Sequence, residues 1–570
     1  MPLSDLNRSE LQPLMMQLLN EYQQLHRLSG STDAERSVDL LAQLLAAQGI
    51  VIKRELCSLL LSDPLSGSLS LPAYPQWQYP AKTRSFSASC PQGVEAELFY
   101  DKRSLSVIAD NQRAQWASEV RGKIVIADQG FEDYVQRLAA AGAAGLVHIW
   151  GSAEQALHEE TVGPVWGSPV PDDALRYPQL PVISVNQTAG QALLATLSLH
   201  PALTARLTTE VHQHVAECSL PVVDIPGSTD EFVLLSSHYD SWHEGVTDNA
   251  TGNALCLAMA VHFHQRQPLL RRGVRIAWWP GHSNARYGGS TWYADRYRLL
   301  LQRGCIAHIN VDSPGCKDAT QLVINASGAE DIAFLNQTIT QVSGQPARRI
   351  TPPGKGGDQS FWGCGIPLHF ALREEPEMRT TQSPGSGGGW WWHTEEDTLD
   401  KLDQEILWRD CQIHARWLAD LLVRDQLPHD PLHYRLLLMQ AISQLQTELD
   451  PAFDLSPLVQ ALEDMEKDLV RAVAGWQQNT GYWQPRLNQI LGLWHRIRYS
   501  STDDFHYDLS FHGGALPGLQ LLRGQMRPAT TPETFLMMTT QFCRQRDRAL
   551  SLLKQSHQIL KVGFINGSSA

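Results

Sequence analysis

Residues 231–266 read EFVLLSSHYDSWHEGVTDNATGNALCLAMAVHFHQR, and they give the clearest indication of the fold. An apolar run is followed by a polar loop and then by apolar residues at helical spacing. Further apolar runs alternate with helical stretches up to residue 424, among them GVRIAWWP at 273–280 and CIAHINVD at 305–312. This alternation predicts βαβ units, so we assign residues 216–424 to a mostly parallel, doubly wound α/β domain.

The regions before residue 216 and after residue 424 have different sequence patterns. Residues 1–56 predict two amphipathic helices separated at Ser29-Gly30-Ser31. Residues 57–215 begin with Pro- and Ser-rich sequence and then predict a small, separate α/β unit. Residues 425–570 carry helical periodicity throughout and predict a helical domain.

Composition excludes several classes of protein. A chain of 570 residues is too long for a single hydrophobic core. Its 46 basic and 60 acidic residues give a net charge of −14, which argues against nucleic acid or an anionic membrane as a partner. The first residues lack the charge and apolar pattern of a secretory signal, and no apolar stretch of about 18 residues occurs. Nine cysteines form no CxxC pair. We expect a cytoplasmic protein with reduced thiols.

Histidines and aspartates stand where the predicted strands end. His238 and Asp240 follow EFVLLSS, Asp248 opens the next helical stretch, Asp312 ends CIAHINVD, and His393 lies in a Gly- and Trp-rich loop. Taken singly, each residue has a simpler explanation, such as a helix N-cap for Asp248. Ligands bind beyond the carboxyl ends of strands in such sheets, so together these side chains can form a crevice suited to zinc.

Five motifs surround these residues: HYDSWHEGVTDNATG, WWPGHSNARYGGSTWYAD, INVDSPG, DQSFWGCGIP and WWWHTEEDTLDKLD. In this order they resemble the co-catalytic zinc aminopeptidase family, which includes bacterial leucyl-type aminopeptidases, glutamate carboxypeptidase and the transferrin receptor. HRLSGSTDAERSVDLLAQLLAAQGI is similar to the lead-in helix of that family, GKIVIADQGFEDYVQRLAAAGAAGLVHIW to its inserted protease-associated domain, and RLNQILGLWHRIRYSSTDDFHYDLSFHGGALPGLQLL to its helical dimerisation domain. The resemblance therefore implies a zinc exopeptidase-type fold and a homodimer.

The resemblance also implies a role for each site residue. His238 would bind one zinc ion, Asp248 would bridge two, Asp312 would complete the His238 site, and His393 would bind the second ion. Asp240 would hold the ring of His238 through its other nitrogen. A water molecule activated by zinc would then attack the peptide carbonyl.

The chain departs from the family at one critical point. Two adjacent glutamates, a general base and a zinc ligand, are expected after GVRIAWW, but residues 280–284 read Pro-Gly-His-Ser-Asn. Counting from the strand places His282 and Ser283 at those positions, whereas counting back from Gly289-Ser290 places Ser283 and Asn284 there. His282 can be the ligand, the base, or a bystander in a decayed site. We expect it to be a ligand beside His393.

Other residues near the site leave alternatives open. Trp390-Trp391-Trp392 can wall a substrate pocket or pack against a neighbouring domain. Glu374 and Glu375 can supply a missing carboxylate or form a solvated loop pair. The glycines of 385–389 can let a loop close over substrate.

The function that these observations favour is a metal-dependent hydrolase of peptide bonds, of aminopeptidase or small-peptide exopeptidase type. One alternative is a hydrolase of a non-peptide amide or carbamoyl substrate, because the expected base is replaced. The other is a catalytically silent, receptor-like binding protein. A small peptide or amide is the expected substrate, and zinc is the expected cofactor, with two ions per chain.

Overall fold

The computed structural model describes residues 3–103, 110–354, 356–378, 388–506 and 514–567. The chain opens with two helices and a long strand: α1 (Arg8–Tyr22), α2 (Thr32–Ala47) and β1 (Lys53–Ser70). Ser31 caps α2, because its side chain accepts the N–H of Ala34 at 3.1 Å. The two helices therefore separate at the predicted break.

A small α/β unit follows. Its elements are β2 (Lys82–Thr83), β3 (Cys90–Tyr100), α3 (Asp110–Val120), β4 (Ile124–Ala127), α4 (Glu132–Ala141), β5 (Gly145–Ile149), α5 (Pro171–Ala174), β6 (Val182–Val185) and α6 (Gln187–Leu199). Strands β3, β4, β5 and β6 pair in parallel, in that order. Apolar clusters cover both faces of this sheet, so the unit has its own core.

The central domain contains the longest alternation of strands and helices. Its elements are β7 (Thr204–Ile225), β8 (Phe232–His238), α7 (Thr251–His264), β9 (Gly273–Trp279), α8 (Gly288–Gly304), β10 (Cys305–Asn310), β11 (Gln321–Ala326), α9 (Ile332–Ser343), β12 (Arg349–Thr351), β13 (Leu368–Glu375) and α10 (Gln404–Val423). Strand β8 lies between β9 and β10, parallel to both, and is buried along its whole length. Helices α1, α7 and α10 cover one face and α8 the other. The predicted mixed, doubly wound α/β fold is confirmed.

The small unit is joined to the central domain by two long strands. β1 and β7 pair in antiparallel fashion from Lys53 to Ser70, with a bulge between Pro64 and Ser66. β7 also pairs with β9 at one end and β3 at the other, so a single 13-stranded sheet runs through the described residues. The boundaries predicted at residues 57 and 215 fall inside these two strands.

Helices dominate the C-terminal region, as predicted. They are α11 (Pro431–Glu448), α12 (Ser456–Asp464), α13 (Glu466–Gln478), α14 (Thr480–Tyr499) and α15 (Pro532–Gly567). Their apolar faces belong to the same buried cluster as the central sheet. His495 on α14 adds a polar contact, donating from Nε2 to the carbonyl of Pro367 at 2.9 Å. Among the described helices, none has the length and apolar character needed to span a membrane.

Candidate active site

Three parallel strands bring the predicted site residues to one edge of the sheet. His238 is the last residue of β8, His282 follows β9 by three residues, and Asp312 follows β10 by two. Neighbouring parallel strands end at the same edge, which is where open α/β sheets bind ligands. Loops bring Asp248 and His393 to the same place. The site therefore forms where the sequence predicts it.

Asp248 lies between the two histidines predicted to bind separate ions. Its Oδ1 is 3.2 Å from Nε2 of His238, and its Oδ2 is 3.1 Å from Nε2 of His393. Oδ1 of Asp312 is 3.7 Å from the same nitrogen of His238. All but Asp312 are nine-tenths or more buried. The structure therefore brings these four residues together, with Asp248 between the two histidines.

Buried charges in this cluster control one another's protonation. Burial alone would lower the pKa of His238, but Asp240, Asp248 and Asp312 raise it well above its ordinary value. Burial would raise the pKa of Asp248, yet His238 and His393 hold it well below its usual range. Burial would also raise the pKa of Asp312, but the imidazole of His238 and the guanidinium of Arg373 together lower it to about 2. The carboxylates therefore stabilise a positive charge at the imidazoles of His238 and His393.

The loop that carries Asp248 is fixed by Asp397. The carboxylate of Asp397 accepts the backbone N–H of Thr247 and of Asp248, each at 2.9 Å, and the hydroxyl of Thr247 at 2.7 Å. Asn249 Oδ1 accepts the N–H of Ser313 at 3.1 Å and ties the same loop to the end of β10. Asp397 was not assigned a role from sequence, although it lies in the WWWHTEEDTLDKLD motif.

Residues between α1 and α2 hold the loops after β8 and β9 in place. The buried guanidinium of Arg27 donates to the carbonyls of Tyr239 and Gly245, each at 3.0 Å. Ser29 Oγ accepts the N–H of Gly281 at 2.6 Å. The lead-in helices therefore set the positions of the loops after β8 and β9.

His282 packs directly against His238. The two rings are stacked with their centroids 3.7 Å apart and their planes 12° apart, and ligand atoms of His238, His282 and Asp312 lie within 4.8 Å of one another. His282 Nδ1 donates to Asp358 Oδ2 at 2.7 Å, which leaves Nε2 as its free nitrogen. We expected His282 beside His393, whereas the structure groups it with His238 and Asp312. Asp358, which lies in the DQSFWGCGIP motif, was missed.

Asp240 acts differently from the prediction. His238 Nδ1 donates to the backbone carbonyl of Asp240 at 2.9 Å, while the carboxylate of Asp240 is 3.5 Å away. That carboxylate accepts the backbone N–H of His282 at 3.3 Å and of Ser283 at 3.1 Å. The aspartate therefore holds the loop after β9 as well as the imidazole.

The other two positions predicted to replace the missing glutamates provide no carboxylate. Ser283 is buried, and its backbone N–H donates to the carboxylate of Asp240. The side chain of Asn284 donates to the carbonyl of Ser29 at 3.1 Å and to Asp63 Oδ1 at 2.7 Å. His282 is the residue of this loop that reaches the cluster of His238 and Asp312.

The cavity beside the cluster has a volume of about 490 Å³ and contains both aromatic and charged side chains. Trp392 lines it and stacks on His393 with ring centroids 3.3 Å apart, whereas Trp391 is buried and donates to Thr247 at 3.0 Å. Trp392 thus forms a wall of the cavity, whereas Trp391 packs in the protein interior.

The two glutamates after IPLHFAL also line the cavity, and both are buried at the end of β13. Glu374 accepts from Arg409 at 2.6 Å, and Glu375 pairs with Arg349. They are therefore ion-paired strand residues and not a solvated loop pair. Of the predicted flexible loop at 385–389, residues 385–387 lie outside the described residues.

The cluster fits a metal ion. His238 and His393 each donate Nδ1–H to a backbone carbonyl, of Asp240 and Glu159, both at 2.9 Å. In the neutral imidazoles each Nε2 therefore keeps a lone pair on the side of Asp248, where a metal ion would bind. Within the described residues, Nε2 of His238 is buried and has no hydrogen bond of ordinary geometry. Imidazole nitrogens and carboxylate oxygens are the donor set of catalytic zinc sites.

The fold is shared with solved structures of aminopeptidases. The aminopeptidase from Aneurinibacillus sp. strain AM-1 superposes with a TM-score of 0.54 and 19% identity, over 72% of this chain and 94% of that one. BSAP, a zinc aminopeptidase from Bacillus subtilis, superposes with a TM-score of 0.55 and 16% identity, over 73% of this chain and 96% of that one. At such low identity the likeness shows a shared fold, which is the fold of these aminopeptidases.

Sequence comparison matches part of the chain to a family model. Residues 222–418 match the family model described as peptidase family M28. An aminopeptidase of Pseudomonas aeruginosa (strain UCBPP-PA14) is 28% identical over 286 residues, which cover 44% of this chain and 50% of that protein. The chain therefore spans about half the length of the curated relatives it matches. The matched family region includes the three strand ends, Asp248 and His393.

Proposed function

We propose that this chain is a metal-dependent hydrolase of peptide bonds, an aminopeptidase or small-peptide exopeptidase. The observation that carries the proposal is the position of Asp248, whose two oxygens face Nε2 of His238 and of His393 at 3.2 and 3.1 Å. A carboxylate that offers one oxygen to each side can bridge two cations. The peptidase family matched by residues 222–418 and the shared aminopeptidase fold support the same reaction class.

The donor set suggests unequal metal sites. His238, Asp312, His282 and one oxygen of Asp248 surround one position, whereas His393 and the other oxygen of Asp248 serve the second. We propose zinc at both, with the second ion held more weakly. When bound, zinc acidifies water and polarises the scissile carbonyl. The protein itself orients the imidazoles through Asp240, Glu159 and Asp358.

Metal dependence tests the proposed function. We expect the purified protein to cleave short peptides with a free N-terminus, to lose that activity on dialysis against a chelator, and to regain it with Zn²⁺. Release of free amino acid is the measurement. Activity that survives complete metal removal would contradict the proposal, and cleavage confined to non-peptide amides would favour the alternative substrate class.

Charged groups in the cavity suggest a substrate with a free carboxylate. Glu160, from the small α/β unit, and Arg373, from β13, both line the cavity. Nη1 of Arg373 lies 3.4 Å from Oδ2 of Asp312, and its side chain is 43% exposed. Arg349, by contrast, is engaged by Glu375 at 2.5 and 2.8 Å. Arg373 is therefore well placed to pair with the C-terminal carboxylate of a short peptide.

Replacing Arg373 with glutamine should raise KM for a dipeptide about 10- to 100-fold, which is the value of a charge-assisted hydrogen bond. The matched dipeptide amide lacks the carboxylate, so its KM should change little. Steady-state kinetics on the two substrates is the measurement. Equal losses on both would show that Arg373 acts through Asp312 and not on the substrate.

We also propose the finer features implied by the family resemblance. Residues 57–215 resemble a protease-associated insert, and they contribute Glu160 to the cavity and the carbonyl of Glu159 to His393. A cytoplasmic location is consistent with nine unpaired cysteines, seven of them buried. No nucleic-acid or membrane partner is proposed.

A homodimer through the C-terminal helices is the last part of this proposal. Leu536 and Met537, at the start of α15, are 67% and 65% exposed, which is unusual for neighbouring large apolar side chains. We expect light scattering to give twice the chain mass of 63.6 kDa.

Replacing both Leu536 and Met537 with glutamate should shift the mass to that of a monomer. The matched control is Leu199→Glu. Leu199 is also highly exposed but ends α6 in the small α/β unit, outside the C-terminal helices. A wild-type protein that is monomeric at micromolar concentration would overturn the dimer.

A further inference from the structure

A second group of metal-ligand side chains lies outside the candidate active site, on the long strand pair β1 and β7. Asp63 on β1 is directly opposite His212 on β7, and His214 is two residues further along β7. Opposed residues, and residues two apart on a strand, point to the same face. All three side chains therefore share one face of the sheet.

The geometry of the group is compact. Ligand atoms of Asp63, His212 and His214 lie within 4.8 Å of one another. The two imidazole rings are stacked, with centroids 4.5 Å apart and planes 10° apart. Nε2 of His214 donates to Oδ2 of Asp63 at 2.8 Å. Ligand atoms on a tetrahedral zinc ion are about 3.3 Å apart, so an ion can replace the donated proton with a small movement.

Asp63 is held in place by the active-site loop. Its Oδ1 accepts Nδ2 of Asn284 at 2.7 Å, and the carbonyl of Asn284 accepts the N–H of Ser62 at 2.8 Å. Asn284 follows His282 by two residues, and its side chain also donates to the carbonyl of Ser29. One oxygen of Asp63 is thus fixed and the other faces His214, so the carboxylate is already oriented for a ligand.

We propose that Asp63, His212 and His214 form a second site for a late first-row divalent cation such as Zn²⁺, separate from the candidate active site. Two imidazoles and one carboxylate favour this class of ion over Mg²⁺ or Ca²⁺, which prefer oxygen ligands. The His212 side is exposed and the other two residues are half-buried, so water completes the coordination. The ion binds next to the loop that carries His282.

Calorimetric titration of chelator-treated protein with Zn²⁺ tests the site. Wild-type protein should bind about one more ion per chain than His212→Gln/His214→Gln. The control, His200→Gln/His264→Gln, removes two histidines outside this cluster and should bind as wild type does. Because the comparison counts ions and not turnover, it does not depend on the proposed peptidase activity.

Asp63→Asn sharpens the test, since asparagine keeps an oxygen for Asn284 but loses the charge. It should weaken binding of the extra ion at least about tenfold, since even outer partners of a metal ligand contribute that much. Thermal melting confirms that each variant is folded. Identical isotherms for wild type and His212→Gln/His214→Gln would overturn the proposal. The three side chains would then only contact one another across the paired strands β1 and β7.

Discussion

Replacing Asp248 with asparagine should reduce kcat/KM for a short peptide at least about a thousandfold, which corresponds to about 4 kcal/mol in the activation barrier. The variant keeps the shape of the side chain but loses the charge between His238 and His393. An amide offers one oxygen where the carboxylate offers two, and its NH₂ group would face one metal position. We therefore expect bound zinc to fall together with the rate, measured by elemental analysis and kinetics on the same sample.

The matched control is Asp224→Asn. Asp224 is a carboxylate on β7 that pairs with Arg275 at 2.8 Å and is 54% exposed. The control should retain both zinc and activity, because this ion pair lies outside the cluster and surface pairs contribute little to stability. An Asp248→Asn protein that keeps its full zinc content and rate would remove Asp248 from the site.

The strands that build the site were predictable because burial dominates them. β8 and β10 are buried along their whole length, so their sequences are apolar runs that end abruptly at polar residues. The parallel arrangement then places His238 and Asp312 at one edge without any knowledge of the contacts between them. This is why His238 and Asp312 are found together, whereas loops bring Asp248 and His393 to them.

Strands β1 and β7 could not be predicted in the same way. Their outer parts alternate between buried and exposed positions, and β1 contains Pro64 at a bulge. Their stability comes from pairing with each other over a separation of more than one hundred residues. Local sequence carries little information about such a pairing.

The residues that support the site were missed for a related reason. Asp358 contacts a histidine 76 positions away, and Asp397 contacts Thr247 150 positions away. A carboxylate in a motif does not reveal its partner until the fold brings the two together. The tight turn after β9 was not evident from sequence: Gly281 takes a left-handed φ of 69°, and a Cβ there would meet Leu59 at 2.7 Å. That tight turn directs His282, and not Asn284, into the site.

Replacing His282 with alanine should remove about one zinc ion per chain and reduce the rate about a hundredfold or more. The rings of His282 and His238 are stacked 3.7 Å apart, and a ligand atom of each lies within 4.8 Å of the other and of a carboxylate oxygen of Asp312. Nδ1 of His282 is engaged by Asp358, so Nε2 is the nitrogen that is available as a ligand or as a general base. We expect His282 to be a ligand, because its ligand atom groups with those of His238 and Asp312.

A matched pair of variants tests that expectation. His282→Glu restores a carboxylate to the loop and should keep more zinc and more activity than His282→Ala. Asp358→Asn leaves the imidazole in place but exchanges a carboxylate acceptor for a weaker amide oxygen, and should weaken zinc binding about 10- to 100-fold. Zinc content after equilibration with a competing chelator is the measurement for all three proteins.

The combination of zinc content and rate separates the possible roles of His282. A ligand gives loss of zinc and of rate together in His282→Ala, with partial recovery in His282→Glu. A general base gives wild-type zinc with a collapsed rate, because the ion would still be held by His238, Asp248 and Asp312. The base also gives a pH–rate profile whose acidic limb is missing in His282→Ala, since no imidazole remains to be protonated. Wild-type zinc together with a wild-type rate would show that His282 is neither, and the Asp358 contact would then serve only to pack the loop after β9.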